Sequence, residues 1–197
     1  AGLADSLLIR HLYNATFPYA DEPIISVENT KEHILYNFKT KKVVWRSGAL
    51  NTDQSFNVYG DEKQSSEWSP ASRATAFVAK DQLYVVDGKG KMVKLTEDGS
   101  RNIVYGQSVH RDEFGINGGL FWSPKGNRLA FYRMDQSMVT DFPLVDIPEV
   151  DWTPKPGQSR IATPAPEKYP MAGETSHKVT VGVYDLKSGK TIYLKAG

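Results

Sequence analysis

Trp68-Ser69-Pro70-Ala71-Ser72-Arg73-Ala74-Thr75-Ala76-Phe77-Val78 is answered further along by Trp122-Ser123-Pro124-Lys125-Gly126-Asn127-Arg128-Leu129-Ala130-Phe131-Tyr132. The two stretches share Trp-Ser-Pro and, at the same offset, Ala-Phe followed by Val or Tyr. Each reads as the end of a strand, a tight polar turn, and a second strand that sets small and aromatic side chains for packing. Recurrence of one such unit is the mark of a repeat architecture.

A second pattern runs out of phase with the first. Leu35-Tyr36-Asn37-Phe38-Lys39-Thr40-Lys41-Lys42-Val43-Val44-Trp45 parallels Val183-Tyr184-Asp185-Leu186-Lys187-Ser188-Gly189-Lys190-Thr191-Ile192-Tyr193. Leu83-Tyr84-Val85-Val86, Asp87-Gly88-Lys89-Gly90 and Lys91 to Leu95 form a looser third copy. Alternating apolar residues about a polar turn read as β-hairpins. Set in order, each unit gives strand, Trp-Ser-Pro turn, strand, loop, strand, hairpin and strand, the plan of one four-stranded propeller blade.

The expected fold is therefore all-β, an incomplete β-propeller of about three blades: residues 1–48 (divergent), 49–98 and 99–197. Closure takes about four to eight blades, so the parent polypeptide is expected to be longer. A β-sandwich with similar turns is the competing architecture. Short helical pieces are expected only at Asp5 to Leu12 and as a turn near Asp112 to Phe114. A long insertion from Arg133 to Lys178 interrupts the third unit and holds seven of the eleven prolines. Proline lacks a ladder donor and fixes φ, so this reads as a loop excursion, with Val150 to Pro166 expected to be its least ordered part.

Composition excludes several classes. Lys and Arg number 24 against 23 Asp and Glu, a formal net charge of +1, which gives no electrostatic basis for a nucleic-acid partner. No apolar run approaches the length of a membrane span. Ala1 to Arg10 shows no basic start followed by a long apolar stretch, so no signal peptide is visible. Without cysteine there is no disulfide, thiolate or thiolate metal site. His11, His33, His110 and His177 are scattered, with no pair at metal-ligand spacing. No metal or cofactor is expected.

Catalytic chemistry is equally sparse. Gly106-Gln107-Ser108-Val109-His110 approaches the nucleophile elbow Gly-x-Ser-x-Gly but lacks its second glycine, and it falls between strands of the propeller pattern. It reads as a loop, and no Ser-His-Asp set can be drawn. His110-Arg111-Asp112-Glu113-Phe114-Gly115 carries more promise. Adjacent carboxylates on a short turn can converge on one cation, such as a primary ammonium. The competing reading is a solvated charged turn with Arg111 as internal counter-ion.

Tyr105 to Phe121, running into Trp122-Ser123-Pro124-Lys125-Gly126-Asn127-Arg128-Leu129-Ala130-Phe131, resembles the propeller of dipeptidyl peptidase IV and its bacterial relatives, including the prolyl tripeptidyl peptidases. Tyr169-Pro170-Met171-Ala172-Gly173 looks like that family's Tyr-Pro-x-Ala-Gly segment. Arg10-His11-Leu12-Tyr13-Asn14-Ala15 is similar to its Arg-His-x-Tyr-x-Ala stretch. The resemblance implies the N-terminal part of a secreted or periplasmic, proline-specific serine exopeptidase that releases N-terminal di- or tripeptides. Its Ser, Asp and His would sit in an α/β-hydrolase domain absent from this chain, so no catalytic residue is expected here. By position, Glu113 would be the main ligand of the substrate's free amino terminus, Asp112 its partner, and Arg10 the clamp on a substrate carbonyl. The partners implied are a peptide with a free N-terminus and the parent's hydrolase domain; a homodimer of the parent is compatible with it. The dipeptidyl enzymes use two glutamates, whereas Asp112 is one methylene shorter. Some sixteen residues also separate Phe17 from Ile34, where the vertebrate enzyme runs nearly straight on. Two other readings stand beside this one: a non-catalytic propeller that binds proteins, and a polysaccharide-binding domain resting on the 11% aromatic content.

Overall fold

A computed structural model describes residues 15–28, 33–46, 63–109, 113–148 and 161–195. The expected helix at Asp5 to Leu12 lies outside them. The turn expected near Asp112 to Phe114 is a 3₁₀ turn over Glu113–Gly115. Apart from it, the described residues form strands and turns, as an all-β incomplete propeller requires. Among them, no helix is long and apolar enough to cross a membrane.

Three antiparallel sheets make up the frame. The first is β1 (Ala15–Thr16), β2 (Ile24–Glu28), β3 (His33–Asn37) and β4 (Lys42–Arg46), paired in chain order. The second is β5 (Lys63–Ser69), β6 (Ala74–Ala79), β7 (Gln82–Val86) and β8 (Met92–Lys94), again in chain order. The third holds β9 (Ile103–Tyr105), β10 (Leu120–Trp122), β11 (Arg128–Asp135), β16 (Lys178–Asp185) and β17 (Lys190–Tyr193). Its strands run β10-β11-β16-β17, with β9 also pairing with β11.

Local chemistry explains the repetition. The pairings Glu67–Ala76 and Trp68–Thr75 recur as Phe121–Ala130 and Trp122–Leu129, so the step from Trp68 to Trp122 carries the strand register with it. Serine closes both turns: Arg73 N donates to Ser69 O at 2.8 Å, and Gly126 N to Ser123 O at 2.8 Å. The three hairpins are also built alike. Asn37 Oδ1 accepts from Lys39 N and Thr40 N, Asp87 Oδ1 from Lys89 N and Lys91 N, and Asp185 Oδ1 from Lys187 N and Ser188 N, all at 2.8–3.1 Å. A short polar side chain bonding the backbone ahead of it is what holds an Asx turn.

Alternation along the strands gives the sheets two apolar faces. Ala76, Val78, Leu83 and Val85 of the second sheet pack on Leu120, Leu129, Phe131 and Tyr184 of the third, all buried. Each such side chain contributes about 1.5–3 kcal/mol on burial. The second sheet's other face carries Phe77 stacked on Tyr84 with centroids 5.2 Å apart. Trp45 of the first sheet approaches Trp68 of the second at 6.3 Å, and Tyr19 Oη donates to Pro70 O at 2.8 Å. Trp122 Nε1 donates to Glu67 O at 3.1 Å, joining the second and third sheets.

The proline-rich insertion departs from a plain loop. Strand β11 continues to Asp135, past its expected start. Beyond it, β12 (Asp141–Phe142) pairs with β15 (Glu167–Lys168), and β13 (Val145–Asp146) with β14 (Thr163–Pro164). The excursion is a narrow two-stranded arm. Pro164 is tolerated because a two-stranded ribbon has only edges, and the next residue supplies the ladder bond: Ala165 N donates to Leu144 O at 2.8 Å. Residues 149–160, the larger part of the Val150 to Pro166 stretch, lie outside the described residues.

Candidate functional site

Strand β11 is long enough to pair with two strands along one edge. Its first half takes β10 and its second half β9, through Leu120↔Phe131 and Tyr105↔Arg133. The chain between them, residues 106–119, leaves the sheet as a loop. Both ends of that loop close on Tyr132: Gly106 N donates to Tyr132 O at 2.9 Å, and Tyr132 N donates to Gly119 O at 3.0 Å. The neck leaves no room for side chains. A Cβ on Gly119 would lie 2.3 Å from Gln107 O, and one on Gly106, at φ +60, would lie 2.7 Å from Leu120 Cδ2.

The 3₁₀ turn Glu113–Gly115 lies within this loop. Phe114 takes φ 56 and ψ 21, the left-handed region, and its side chain is 85% exposed. A bulky residue held in that region is strained by about 1–3 kcal/mol, a cost that clusters at functional turns. Ser108 Oγ donates to Ile116 O at 2.5 Å, joining the loop's two limbs. This serine braces the loop, in keeping with the loop reading of Gly106 to His110; His110 itself lies outside the described residues.

Both limbs face a cavity of about 860 Å³. Gly106 to Val109 and Asn117 to Leu120 form one wall, Ser65 to Glu67 of β5 another, and Pro166 to Pro170 with His177 a third. Ser65 Oγ donates to Gly106 O at 2.9 Å, fixing the first wall to the second. Arg101, on the cavity rim, is not open to a ligand at full charge. It grips Asp141 with two nitrogens at 2.7 and 3.3 Å, and its Nη2 donates to Pro166 O at 2.9 Å. Lys168 Nζ also reaches Asp141, at 3.3 Å, and donates to Val139 O at 2.7 Å. Arg101 first, and Lys168 after it, holds the Asp141 carboxyl below its ordinary range. The lining sets the charged Glu67, Glu167, Arg101 and Lys168 among neutral hydrogen-bonding groups, including Ser65, Gln107, Ser108, Asn117 and Gln136. Among the described residues, no set of three His, Asp or Glu side chains converges to hold a metal ion.

A polar network centred on the buried Tyr105 backs the loop at its base. Tyr105 Oη donates to Asp98 Oδ1 at 2.7 Å and accepts from Arg133 Nε at 3.0 Å, while Arg133 Nη2 meets Asp98 Oδ2 at 3.0 Å. Burial, and then the bond to Asp98, pushes the Tyr105 hydroxyl above its ordinary range. The Tyr105 bond, with Arg133 after it, holds Asp98 below its own.

Of the residues singled out in the sequence, Glu113 opens the turn. Asp112 and Arg10 lie outside the described residues. Tyr169 and Pro170 of the Tyr-Pro-x-Ala-Gly segment line the cavity, and Tyr169 N donates to Thr140 O at 3.1 Å. Sequence reasoning missed Ser65, Arg101 and His177. Each stands alone in its own segment, and only folding brings it to the cavity.

Repeated antiparallel sheets packed face to face, with an acid-bearing loop beside a cleft, define an incomplete propeller. The chain belongs to the dipeptidyl peptidase IV family, and residues 19–197 match the model of its N-terminal region. It is 34% identical over 131 residues to a dipeptidyl-aminopeptidase B assigned in Arthroderma gypseum, covering 63% of this chain and 14% of that protein. Its counterpart in Emericella nidulans is 33% identical over 130 residues, covering 62% and 14%. Among solved structures, a protein of Bacteroides ovatus assigned as a dipeptidyl aminopeptidase IV superposes with a TM-score of 0.73 at 39% identity, covering 98% of this chain and 24% of that one. Porphyromonas gingivalis dipeptidyl peptidase 4 shares the fold, with a TM-score of 0.58 at 20% identity, covering 93% and 23%. The chain therefore spans a small part of the length of the relatives it matches.

Proposed function

We propose that this chain is the substrate-gating part of a proline-specific serine exopeptidase that removes N-terminal di- or tripeptides. Glu113 takes the free ammonium of the peptide, Asp112 shares it, and Arg10 binds a backbone carbonyl near the substrate's N-terminus. Bond breaking belongs to an α/β-hydrolase domain of the same parent polypeptide. The parent is proposed to lie in the periplasm or outside the cell, and a homodimer of that parent is compatible with this reading.

One observation carries the reading. Glu113 opens a strained turn, Glu113–Gly115, in a loop pinched at its neck, and both limbs of that loop wall a cavity of about 860 Å³. Adjacent carboxylates suit a primary ammonium, since each charge-assisted hydrogen bond is worth about 1.5–3 kcal/mol when sheltered from water. A substrate anchored by its first nitrogen is cut at a fixed distance from that end, which is what makes an exopeptidase.

The test is Glu113→Gln in the full-length parent, assayed on a free-amino X-Pro substrate. Loss of the charged bonds lowers kcat/KM by at least about tenfold. An unchanged kcat/KM removes Glu113 from the site. The chain of 197 residues alone is expected to leave the same substrate intact; turnover by it would overturn the division of labour proposed here.

A further inference from the structure

The acid-bearing loop is fixed by two kinds of contact. The Ser108–Ile116 bond joins limb to limb and travels with the loop. The neck bonds at Tyr132 hold its base. Between that base and the Glu113 turn, the described chain runs through Gln107, Ser108 and Val109.

His177 contacts this stretch from outside the loop. It follows the proline-rich insertion and immediately precedes β16, yet its Nε2 lies 3.1 Å from Val109 O. A carbonyl oxygen only accepts, so the ring nitrogen is the donor. Both residues line the cavity, and Val109 is buried. The histidine is itself anchored, because the next residue, Lys178, pairs with Asp135 of β11. The bond therefore runs from the rigid third sheet to the limb that leads into Glu113.

We infer that His177 is a positioning residue: by holding the Val109 carbonyl it sets where the Glu113 turn stands relative to the third sheet. This rests on the ammonium-binding reading of that turn. Displacement of a binding group by about 1 Å is enough to cost a large factor in rate or affinity. The same bond links the first limb of the loop to the segment that closes the insertion.

The experiment uses the full-length parent with His177→Phe, which keeps ring bulk but removes the N–H, and His177→Gln, whose amide N–H falls near the position of Nε2. His177→Phe is expected to raise KM for a free-amino X-Pro substrate about fivefold, with kcat changed less than about twofold. Amide exchange across residues 107–113 should quicken with it. His177→Gln should restore most of both effects, which a merely structural histidine would not do. His177→Asn, whose donor falls short, replaces the Phe variant should that one not fold. Unchanged KM overturns the inference, whether or not exchange quickens. Glu113→Gln run alongside separates the two readings. A fall with Glu113→Gln but none with His177→Phe overturns the positioning role and spares the acidic turn. No fall with Glu113→Gln overturns the ammonium reading, and the exchange data then decide whether His177 holds the loop.

Discussion

Gly106 and Gly119 pass so closely at the neck of the acid-bearing loop that a Cβ on Gly119 would lie 2.5 Å from the carbonyl carbon of Gly106. Backbone cannot yield as a flexible side chain can. Gly119→Ala is therefore expected to destabilise the chain by about 2–3 kcal/mol, measured as a lowered urea midpoint. Gly118→Ala is the control: a Cβ there meets nothing within 4 Å, so its effect should stay within about 0.5 kcal/mol. Equal effects would mean that loop flexibility, and not the close approach, governs the site.

Tyr105 joins Asp98 and Arg133 through one hydroxyl. Tyr105→Phe keeps the ring and its packing on Phe131 but removes both bonds. It should cost about 1–2 kcal/mol in thermal or urea unfolding. It should also raise the Asp98 pKa, since the Tyr105 bond is the first cause of its depression. An NMR titration of the Asp98 carboxyl checks the second point.

The same network fixes a pH dependence. The ordinary value for Asp98 is 3.8, and folding lowers it. The native state thus binds this proton less tightly than the unfolded chain. Its contribution to stability is present above the ordinary value and lost as pH falls through the lowered one. Tyr105 has the opposite sign: its value is raised from 10.0, so its contribution holds below pH 10.0 and fades as pH climbs beyond. Unfolding midpoints measured across pH should fall at both ends, and Tyr105→Phe should flatten both limbs.

Asp141 ties the proline-rich arm to the frame through Arg101, and within the arm it meets Lys168 of β15. Ion pairs as exposed as Arg101–Asp141 are worth at most about 1 kcal/mol globally. The expected effect of Asp141→Asn is local: a global unfolding midpoint within error, with faster protease cleavage between residues 143 and 165. High salt should speed cleavage of the unaltered chain in the same way. A protease-resistant variant would show that other contacts hold the arm.

The outer face of the third sheet is apolar. Phe121, Ala130, Val183 and Ile192 are paired side by side across β10, β11, β16 and β17, and Ile192 is 62% exposed. Ala130 and Val183 correspond to Ala76 and Val85 of the second sheet, which lie buried beneath the third. The chain on its own should therefore self-associate, and Ile192→Lys should lessen this in sedimentation velocity without changing the circular dichroism spectrum. Unchanged association would place the sticky surface elsewhere, with the arm the next region to test.

The repeats were legible because strand alternation and turn chemistry are local. Trp68 and Trp122, or Asn37, Asp87 and Asp185, do the same task within a few residues of themselves, so similar residues imply similar structure. The insertion was less legible. Seven prolines argued against strand, yet a ribbon with two open edges tolerates Pro164, and nothing near Pro164 in sequence announces its partner Val145.

The all-β character, the blade unit, its repetition and the acidic pair at Asp112 and Glu113 can be read from the chain directly, because each is encoded by spacing within a short segment. Tertiary structure alone decided that Gly106 and Gly119 meet at Tyr132, that Ser65, Arg101 and Tyr169 share one cavity with the acid loop, and that His177 reaches Val109. Those contacts join residues far apart in the chain. Which of them form depends on how the sheets stack and where the arm folds back, and no local pattern records that.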